Sequence, residues 1–462
     1  VALKESNASL FVEITEKLSL KNELALLKLQ TDKIKTEYLH FEKDSKTLFS
    51  IPVRKNIHSD DLLKLWMRLD DFEQAGKKLY WWRQLSFPFI YGVGNRDFYR
   101  GSYNEMICSI QAEFYILKIA ELTAKQKAIE KELQDFSFNK KMKEYTDVSM
   151  QIFKNCLYRK YRKRERREYT EADLHYNSQE LIRDYPVIMS TTYSLRRSLS
   201  KEVMYDYVII DEASQVDLAT GVLALSCAKN AVIVGDLKQL PNVVDAKNAE
   251  ITNSIFESYN IAEAYRYSNH SLLSSLTELF SEIPKTLLRE HYRCHPQIID
   301  FCNRKFYNNE LIILSESQSE KEPLLVYRTM AGNHARDRMN QRQIDVIMQE
   351  IIPQQKLEEL NFGIVTPYRN QSNALQNLFD EKIVKADTVD KFQGRENDVI
   401  ILSTVDNEIS EFTDNANRLN VAISRAKDQL ILLVNGNEFE KDSNISDLIR
   451  YIEYNNFSVI DS

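Results

Sequence analysis

Two stretches in the first third of the chain repeat apolar residues every three or four positions, with charged residues between them. The first set is Leu20, Leu24, Leu27, Ile34, Tyr38 and Phe41, and the second is Tyr115, Ile119, Leu122, Ile129, Leu133 and Phe136. This spacing places each set on one face of a helix. We therefore predict two long amphipathic helices that pair as an antiparallel coiled-coil stalk.

The segment between these helices, from Trp66 to Tyr103, is rich in aromatic residues and includes Tyr80-Trp81-Trp82 and Phe87-Pro88-Phe89. We expect the aromatic side chains to be buried in a cap on the stalk. Stacking on nucleic-acid bases is the alternative use of such rings. Gly92-Val93-Gly94 is expected to be a turn, because no Gly-Lys-Ser/Thr follows it.

From about residue 181 onward, short apolar runs alternate with helical segments. The predicted strands are Val187–Ser190, Tyr207–Ile210, Ala231–Val234, Leu324–Tyr327, Gly363–Thr366, Val399–Thr404 and Leu430–Val434. Strands that alternate with helices favour parallel, doubly wound sheets. The sequence therefore predicts an α/β fold with a helical domain over residues 1–180 and sheet domains over residues 181–287 and 288–462.

The composition is that of a soluble globular protein, with 43% hydrophobic and 28% charged residues. The net charge of −7 argues against a protein coated in basic surface, although a local basic track is compatible with it. The five cysteines form no CxxC pair, which favours reduced thiols in a cytoplasmic protein. No apolar run of 18 residues occurs, so we expect no membrane partner.

Seven of the nine residues from Arg159 to Arg167 are Lys or Arg. So dense a cluster repels itself unless polyanions are near. One interpretation is a nucleic-acid track in which Arg162 and Arg166 contact phosphates. The other is a solvated helix face that Glu165 and Glu168 partly neutralise.

The apolar run Val208-Ile209-Ile210 is followed directly by Asp211 and Glu212. Ligands of α/β proteins bind outside the carboxyl ends of the parallel strands, so these acids are placed for chemistry. One carboxylate can bind Mg²⁺ beside nucleotide phosphates and its neighbour can orient an attacking water. The second predicted strand has a similar exit, Gly235 to Pro241, which indicates one phosphate-handling site.

A guanidinium group delivered from another segment is the usual partner of such acids, and Arg293 is the first candidate. It lies between His291 and the Cys294-His295 pair. These three residues have a spacing that would suit zinc, but no fourth ligand lies close by. We therefore interpret the segment as an arginine finger and not as a metal site.

Five strings occur in order along the chain: Asp211–Gln215, Gly235–Pro241, His291–Pro296, Thr388–Glu396 and Asn420–Lys427. They closely resemble motifs of the superfamily 1 helicases, in the branch of the nonsense-mediated-decay helicase and the replication nuclease-helicase. The resemblance covers about residues 181–436. It implies two RecA-like domains, the first incomplete and preceded by a helical stalk insertion, that grip ATP and Mg²⁺ while single-stranded DNA or RNA crosses their top.

The resemblance also implies a role for individual residues. The catalytic set is Asp211 on Mg²⁺, Glu212 on water, Gln239 as γ-phosphate sensor, and Arg293 and Arg425 as fingers. The nucleotide set is Tyr292 stacked on adenine, with Gly235, Asp236, Gln393, Gly394 and Glu396. The nucleic-acid set is Thr191, Thr192, Thr366 and Thr388.

One departure from the family is that no Gly-x-x-x-x-Gly-Lys-Ser/Thr loop occurs in the 462 residues. Together with a first residue other than Met, this favours a truncation after that loop over an ATPase that has lost it, and predicts feeble ATP binding by the chain alone. The leading hypothesis is the motor core of a helicase or translocase that moves 5′ to 3′. The alternatives are a nucleotide switch or defence-system sensor that signals to a protein partner through the stalk, and a scaffold with relic folds.

Overall fold

A computed structural model of the protein describes residues 2–45, 51, 53–54, 56–94, 96–163, 167–316, 321–379, 384–392, 394–437 and 442–462. It divides into two compact units. The first comprises Val1–Arg162 and Ile312–Leu314, and the second comprises Lys163–Leu311 and Ser315–Ser462. The division between the two units lies near residue 162, and the predicted domain boundary near residue 180 stays a prediction. The predicted division near residues 284–290 stays a prediction.

The first unit is almost entirely helical. Its elements are α1 (Ala2–Asp44), α2 (Ser59–Gln74), α3 (Trp81–Ile90), a 3₁₀ turn (Phe98–Arg100), α4 (Tyr103–Phe136), α5 (Phe138–Tyr161) and, in a separate segment, the short strand β4 (Ile312–Ile313). None of the helices in the described part of the chain is long and apolar enough to cross a membrane.

Helix α1 runs antiparallel to α4 and then to α5. Lys17 Nζ lies 2.6 Å from Glu132 Oε1, the rings of Tyr38 and Tyr115 are 5.8 Å apart, and the Asn7 amide donates to Ser149 Oγ at 2.8 Å. Between α4 and α5, Ser137 adopts a positive φ of 56°. The two predicted helices are thus present and adjacent, whereas their coiled-coil packing stays a prediction.

The cap between α1 and α4 has a core of its own, built from one face of α2 and from Phe87 and Tyr99. The expectation of buried aromatic rings is correct for these two residues. It is wrong for Tyr80, Trp81, Trp82 and Phe89, which are exposed. Helix α3 meets the cap core along one side only, so the apolar residues on its other sides remain in solvent.

The second unit begins with three short helices, which a small sheet and further helices follow. These are α6 (Asp173–Tyr176), α7 (Ser178–Asp184), α8 (Thr192–Ser198), β1 (Tyr205–Ile210), α9 (Leu218–Leu225), β2 (Ala228–Ile233), α10 (Ala246–Glu257), a 3₁₀ turn (Glu263–Tyr265), α11 (Leu272–Leu279) and β3 (Glu290–His291). Strands β1 and β2 pair in parallel, with Ile210 opposite Ile233. Val208 and Ile210 pack into a small core beneath the sheet, and the side chains of Tyr207 and Ile209 point into solvent.

The rest of the unit surrounds a larger sheet. Its elements are α12 (Pro296–Phe306), β5 (Leu324–Thr329), β6 (Ala335–Arg336), β7 (Met339–Asn340), α13 (Gln341–Val346), a π-helix (Ile347–Ile351), α14 (Ile352–Gln354), a 3₁₀ turn (Leu357–Glu359), β8 (Phe362–Thr366), α15 (Arg369–Gln376), β9 (Lys385–Thr388), α16 (Val389–Phe392), β10 (Asn397–Ser403), α17 (Ala416–Ile423), β11 (Ala426–Asn435), α18 (Asn444–Tyr454) and β12 (Val459–Asp461). The sheet has the order β12-β5-β11-β10-β8-β9, and all of its pairs are parallel.

Six of the seven predicted strands are present, and the prediction for Val187–Ser190 is wrong. An isolated strand is not stable in water without a neighbour that satisfies its backbone groups. Among the described residues β1 pairs only with β2, and Val187 and Met189 are 78% and 91% exposed. The segment therefore has apolar side chains but no sheet to join.

The cap core gives a testable stability difference between two residues of α2. Leu65 is fully buried and Met67 is 61% exposed. Leu65→Ala is expected to lower the free energy of unfolding of the first unit by about 2–5 kcal/mol, because it leaves a cavity. Met67→Ala is expected to change it by less than about 0.5 kcal/mol.

Tryptophan fluorescence during urea unfolding reports this difference, since all three tryptophans (Trp66, Trp81 and Trp82) belong to the first unit. Equal effects of the two substitutions would contradict the assignment of this core.

Candidate active site

The acid pair lies in a tight turn at the carboxyl end of β1. Asp211 Oδ1 accepts a hydrogen bond from the Glu212 backbone N–H at 2.9 Å, and both residues are exposed. Glu212 has a positive φ of 51°, which costs a residue with a Cβ about 1–2 kcal/mol. Such strain is maintained where the local geometry matters for function. An exposed carboxylate at a strand end suits Mg²⁺, which binds proteins through one or two carboxylates and keeps several waters.

The loop after β2 lies against this turn. A Cβ on Gly235 would be 3.0 Å from the Ala213 nitrogen, so a larger residue would push the two segments a few tenths of an ångström apart. Gln239 donates to Asp236 Oδ2 at 3.1 Å, and the Tyr307 hydroxyl donates to the same oxygen at 2.6 Å. Asp236, which the resemblance assigns to the nucleotide, is therefore an anchor of the loop in this structure.

Three side chains that the sequence analysis did not single out hold this loop. Asn417 Nδ2 donates to the Gln239 carbonyl at 2.6 Å, and Asn420 Nδ2 donates to the Lys238 carbonyl at 2.8 Å. Asn420 also donates to the Tyr307 hydroxyl at 2.8 Å. Burial, with Asp236 nearby, raises the pKa of Tyr307, so its hydroxyl stays protonated and donates. Asn420 lies inside a recognised motif, but Tyr307 has no signal in the sequence.

Arg425 is buried just after the end of α17. Its Nε donates to the Val421 carbonyl at 3.3 Å. Burial lowers the pKa of Arg425 and the charge of Arg293 lowers it further, while Glu212 and Glu396 act in the opposite direction. The influence of Glu212 on Arg425 means that the acid and the predicted finger lie within electrostatic reach of each other.

Arg293 forms an ion pair with Glu396 at the site. Its Nε lies 2.7 Å from Glu396 Oε2, and Lys427 Nζ lies 2.9 Å from Glu396 Oε1. The hydrogen bond from Lys427, together with the charge of Arg293, lowers the pKa of Glu396, so its carboxylate is ionised at neutral pH. Lys427 is the last residue of its motif and was not assigned a role. A phosphate that binds Arg293 must compete with Glu396.

Tyr292 exposes its ring beside Arg293. Its hydroxyl donates to Glu290, and burial of the hydroxyl with this bond raises the pKa of Tyr292 to about 12. An exposed ring next to an arginine suits stacking on a base. Gly394 has a φ of 76° and open space where a Cβ would lie, whereas Gln393 is outside the described residues.

The side chains of the His291 segment make hydrogen bonds within the protein. His291 Nε2 accepts from the Cys294 backbone N–H at 2.9 Å, and His295 Nδ1 accepts from the Gln297 N–H at 3.2 Å. The Cys294 thiol donates to the Ser424 carbonyl at 3.3 Å. Within the described ranges, no group of His, Cys, Asp and Glu side chains could hold a metal ion between them.

The four threonines assigned to nucleic acid differ in exposure. Thr191 caps α8 by accepting from the Ser194 N–H at 3.2 Å and is exposed, and Thr192 begins that helix. Thr366 is fully buried and Thr388 nearly so. In this conformation neither of the last two side chains is presented to a strand.

The basic run is only partly described. Arg162 is exposed near the ring of Tyr158, and Arg166 lies outside the described residues. Arg167 is paired with Glu180 at 2.5 Å and with Asp173 at 3.3 Å. Part of the run is thus neutralised by acids further along the chain, and its role as a nucleic-acid track stays a prediction.

Comparison with known proteins gives matches over most of the chain. Two family models, each described as an AAA domain, match residues 30–247 and 268–437. An uncharacterized ATP-dependent helicase of Methanocaldococcus jannaschii is 28% identical over 59% of this chain and 42% of its own length. The DNA replication ATP-dependent helicase/nuclease DNA2 of Gallus gallus is 27% identical over 55% of this chain and 25% of its own length. The human probable helicase senataxin is 30% identical over 50% of this chain and 9% of its own length. The chain thus spans less than half the length of these relatives.

Among solved structures, an arterivirus helicase with DNA covers 54% of this chain and 43% of its own, at 14% identity and a TM-score of 0.29. A similarity at this level supports no conclusion.

The buried histidine of the finger segment predicts a dependence of stability on pH. Burial and the charge of Arg293 lower the pKa of His291 to about 4, against about 6.5 in the unfolded chain. Below pH ~6.5 the unfolded chain binds a proton that the folded chain does not, so stability falls as the pH falls from ~6.5 toward ~4. His291→Gln removes this titration and is expected to lessen the loss between pH 7 and 5 by about 1–2 kcal/mol.

Urea unfolding followed by far-ultraviolet circular dichroism measures this loss. His175→Gln, at an exposed position, is the matched control and is expected to behave as the parent chain does. An unchanged pH dependence in His291→Gln would contradict the neutral, buried state of the ring.

Proposed function

We propose that this chain, which belongs to the superfamily 1 helicases of the DNA2/NAM7 type, is the motor core of an ATP-dependent helicase or translocase. The observation that carries the proposal is that Glu212 and Arg425 belong to one compact unit, in which Asn417 and Asn420 hold the loop beside the acid pair to the helix that precedes Arg425. Glu212 and Arg425 come from segments more than two hundred positions apart. An acid that orients water and a guanidinium that faces it are the two groups that phosphoryl transfer requires on either side of a γ-phosphate.

The residues divide the hydrolysis of ATP between them. Asp211 would hold Mg²⁺, which neutralises charge on the phosphates. Glu212 accepts a proton from the attacking water as the water oxygen bonds to the γ-phosphorus and the bond to the bridging oxygen breaks. Arg425 and Arg293 stabilise the charge that develops on the γ-phosphoryl oxygens. Arg293 becomes available when the phosphate replaces its contact with Glu396.

The loop from Gly235 to Leu240 would transmit this event to the strand. Gln239 lies on the loop, and Asn417 and Asn420 hold the loop to α17. A change at the γ-phosphate that moves Gln239 would therefore shift one part of the unit against another, as in other hinge and shear transitions. We infer from the family branch that the movement runs 5′ to 3′ on single-stranded DNA or RNA.

The proposal also expects negligible ATP turnover by these 462 residues alone. They contain no Gly-x-x-x-x-Gly-Lys-Ser/Thr loop, whose backbone amides and lysine cradle phosphates in such motors. The outer face of the β1–β2 sheet exposes Tyr207, Ile209 and Val232. The faces of a parallel sheet are normally covered by helices, so a helix packed on this face would bury these side chains.

Glu212→Gln tests the catalytic assignment in the full-length protein. The amide keeps the size of the side chain but cannot accept the water proton, so strand-stimulated ATP hydrolysis is expected to fall at least about a hundredfold. Binding of a fluorescent ATP analogue is expected to persist. Glu202→Gln, at an exposed position in the same unit, is the matched control. Normal ATP turnover by the Glu212→Gln variant would contradict the assignment of Glu212 as the residue that accepts the water proton.

A displacement assay on single strands that carry streptavidin at one end tests the motor itself. Movement from 5′ to 3′ predicts faster displacement from the 3′ end. Retained ATPase with neither block displaced would favour the nucleotide switch instead.

A further inference from the structure

Helix α3 presents an aromatic face to solvent. Trp81, Leu85 and Phe89 are spaced four residues apart and therefore project from one side of the helix. Trp81 is 66% exposed and Phe89 is 75% exposed. Large apolar side chains grouped on a surface mark interaction sites more often than isolated ones do. We call this face, with its basic neighbours Arg54 and Arg96, the α3 surface.

The α3 surface rests on a firmly packed base. On the buried side of the helix, the Phe87 ring lies 5.3 Å from that of Tyr91 and 5.5 Å from that of Tyr99, in edge-to-face contacts. The Tyr99 hydroxyl donates to the Val93 carbonyl at 2.9 Å. The helix is thus fixed from below, so the exposed rings are held ready for a ligand at little cost in conformational entropy.

Two guanidinium groups border a shallow depression of about 410 Å³ beside the rings. Arg54, Phe89, Gly92 and Arg96 are among the residues that line it. Arg54 is held by its backbone N–H, which donates to the Gly92 carbonyl at 3.0 Å, and its guanidinium carbon lies 5.9 Å from the Phe89 ring centre. In the part of the chain that the structure describes, neither arginine has a carboxylate partner.

The chemistry of this surface selects among possible occupants. An apolar peptide or a second apolar surface would cover the rings but would leave two cations without counter-charge. An acidic peptide would satisfy the cations but would cover the rings only where aromatic side chains alternate with its acids. A flexible polyanion with planar bases satisfies both, because bases stack on aromatic side chains while phosphates meet arginines.

We propose that the α3 surface binds single-stranded nucleic acid, with Trp81 and Phe89 stacking on bases and Arg54 and Arg96 contacting phosphates. This goes beyond the proposed function, since the surface belongs to the first unit and needs no ATP. The helical unit would then have its own binding site for the strand, separate from that of the motor.

The fluorescence of Trp81 and Trp82 can report binding at or beside the α3 surface. Titration of the 462-residue chain with a short oligothymidylate, without ATP, is expected to quench tryptophan fluorescence. The combined variant Trp81→Ala/Phe89→Ala lacks the Trp81 reporter, so its affinity is measured by the fluorescence anisotropy of a labelled oligothymidylate; it is expected to bind roughly tenfold more weakly or worse, as loss of base stacking predicts. Arg54→Glu/Arg96→Glu is expected to reduce the slope of log affinity against log salt by about 1.4, or ~0.7 for each lost phosphate contact.

Two controls separate the surface from general effects. Phe153→Ala removes an aromatic ring that is 56% exposed on α5 and is expected to leave affinity unchanged. An oligomer of the same length that lacks bases is expected to quench the tryptophan fluorescence only slightly, because it has no ring to stack on the aromatic side chains. Urea midpoints equal to that of the parent chain verify that the variants fold.

Unchanged affinity in both combined variants would overturn the proposal and would favour a protein contact at the α3 surface. If the oligomer without bases quenched the tryptophan fluorescence as much as oligothymidylate does, the proposed stacking of bases on the rings would be wrong. Because no ATP is present, neither outcome depends on whether the chain hydrolyses ATP.

Discussion

The attachment of the loop between Gly235 and Leu240 to helix α17 is the constraint on which the rest of the site depends. Two asparagine side chains, Asn417 and Asn420, donate to backbone carbonyls of this loop, and Tyr307 donates to Asp236 at its base. These bonds join the end of the small sheet to the segment that carries Arg425.

This attachment gathers charges that repel one another unless an anion is present. Arg293, Arg425 and Lys427 lie in one cluster, and Glu396 is the carboxylate that meets two of them directly. Burial of Arg425 makes its charge costly, as the lowered pKa reflects. A site of this kind gains most from a multiply charged ligand, because a triphosphate compensates several cations at once. The strained backbone of Glu212 belongs to the same arrangement, since it fixes the direction of the opposing acid.

The sequence predicted the parts of this structure that depend on local pattern. Strands β8, β10 and β11 are buried apolar runs, and their positions follow from that alone. Val187–Ser190 carries a similar pattern but forms no strand, because strand formation depends on a neighbour that a local pattern does not reveal. The exposure of Trp81 and Phe89 was missed for a related reason. The sequence of a short apolar helix does not reveal how many of its sides pack against other elements. Tyr307 was missed because its role depends on a contact with Asp236, 71 residues away.

The most direct test of the central claim is a structure of the full-length protein with Mg²⁺, ADP and aluminium fluoride, which mimics the γ-phosphoryl group in transfer. The account predicts Asp211 in the coordination shell of the metal, Glu212 beside the attacking water, and the Arg425 guanidinium about 3 Å from the fluoride. A nucleotide bound elsewhere, or an Arg425 side chain that makes no contact with the fluoride, would contradict it.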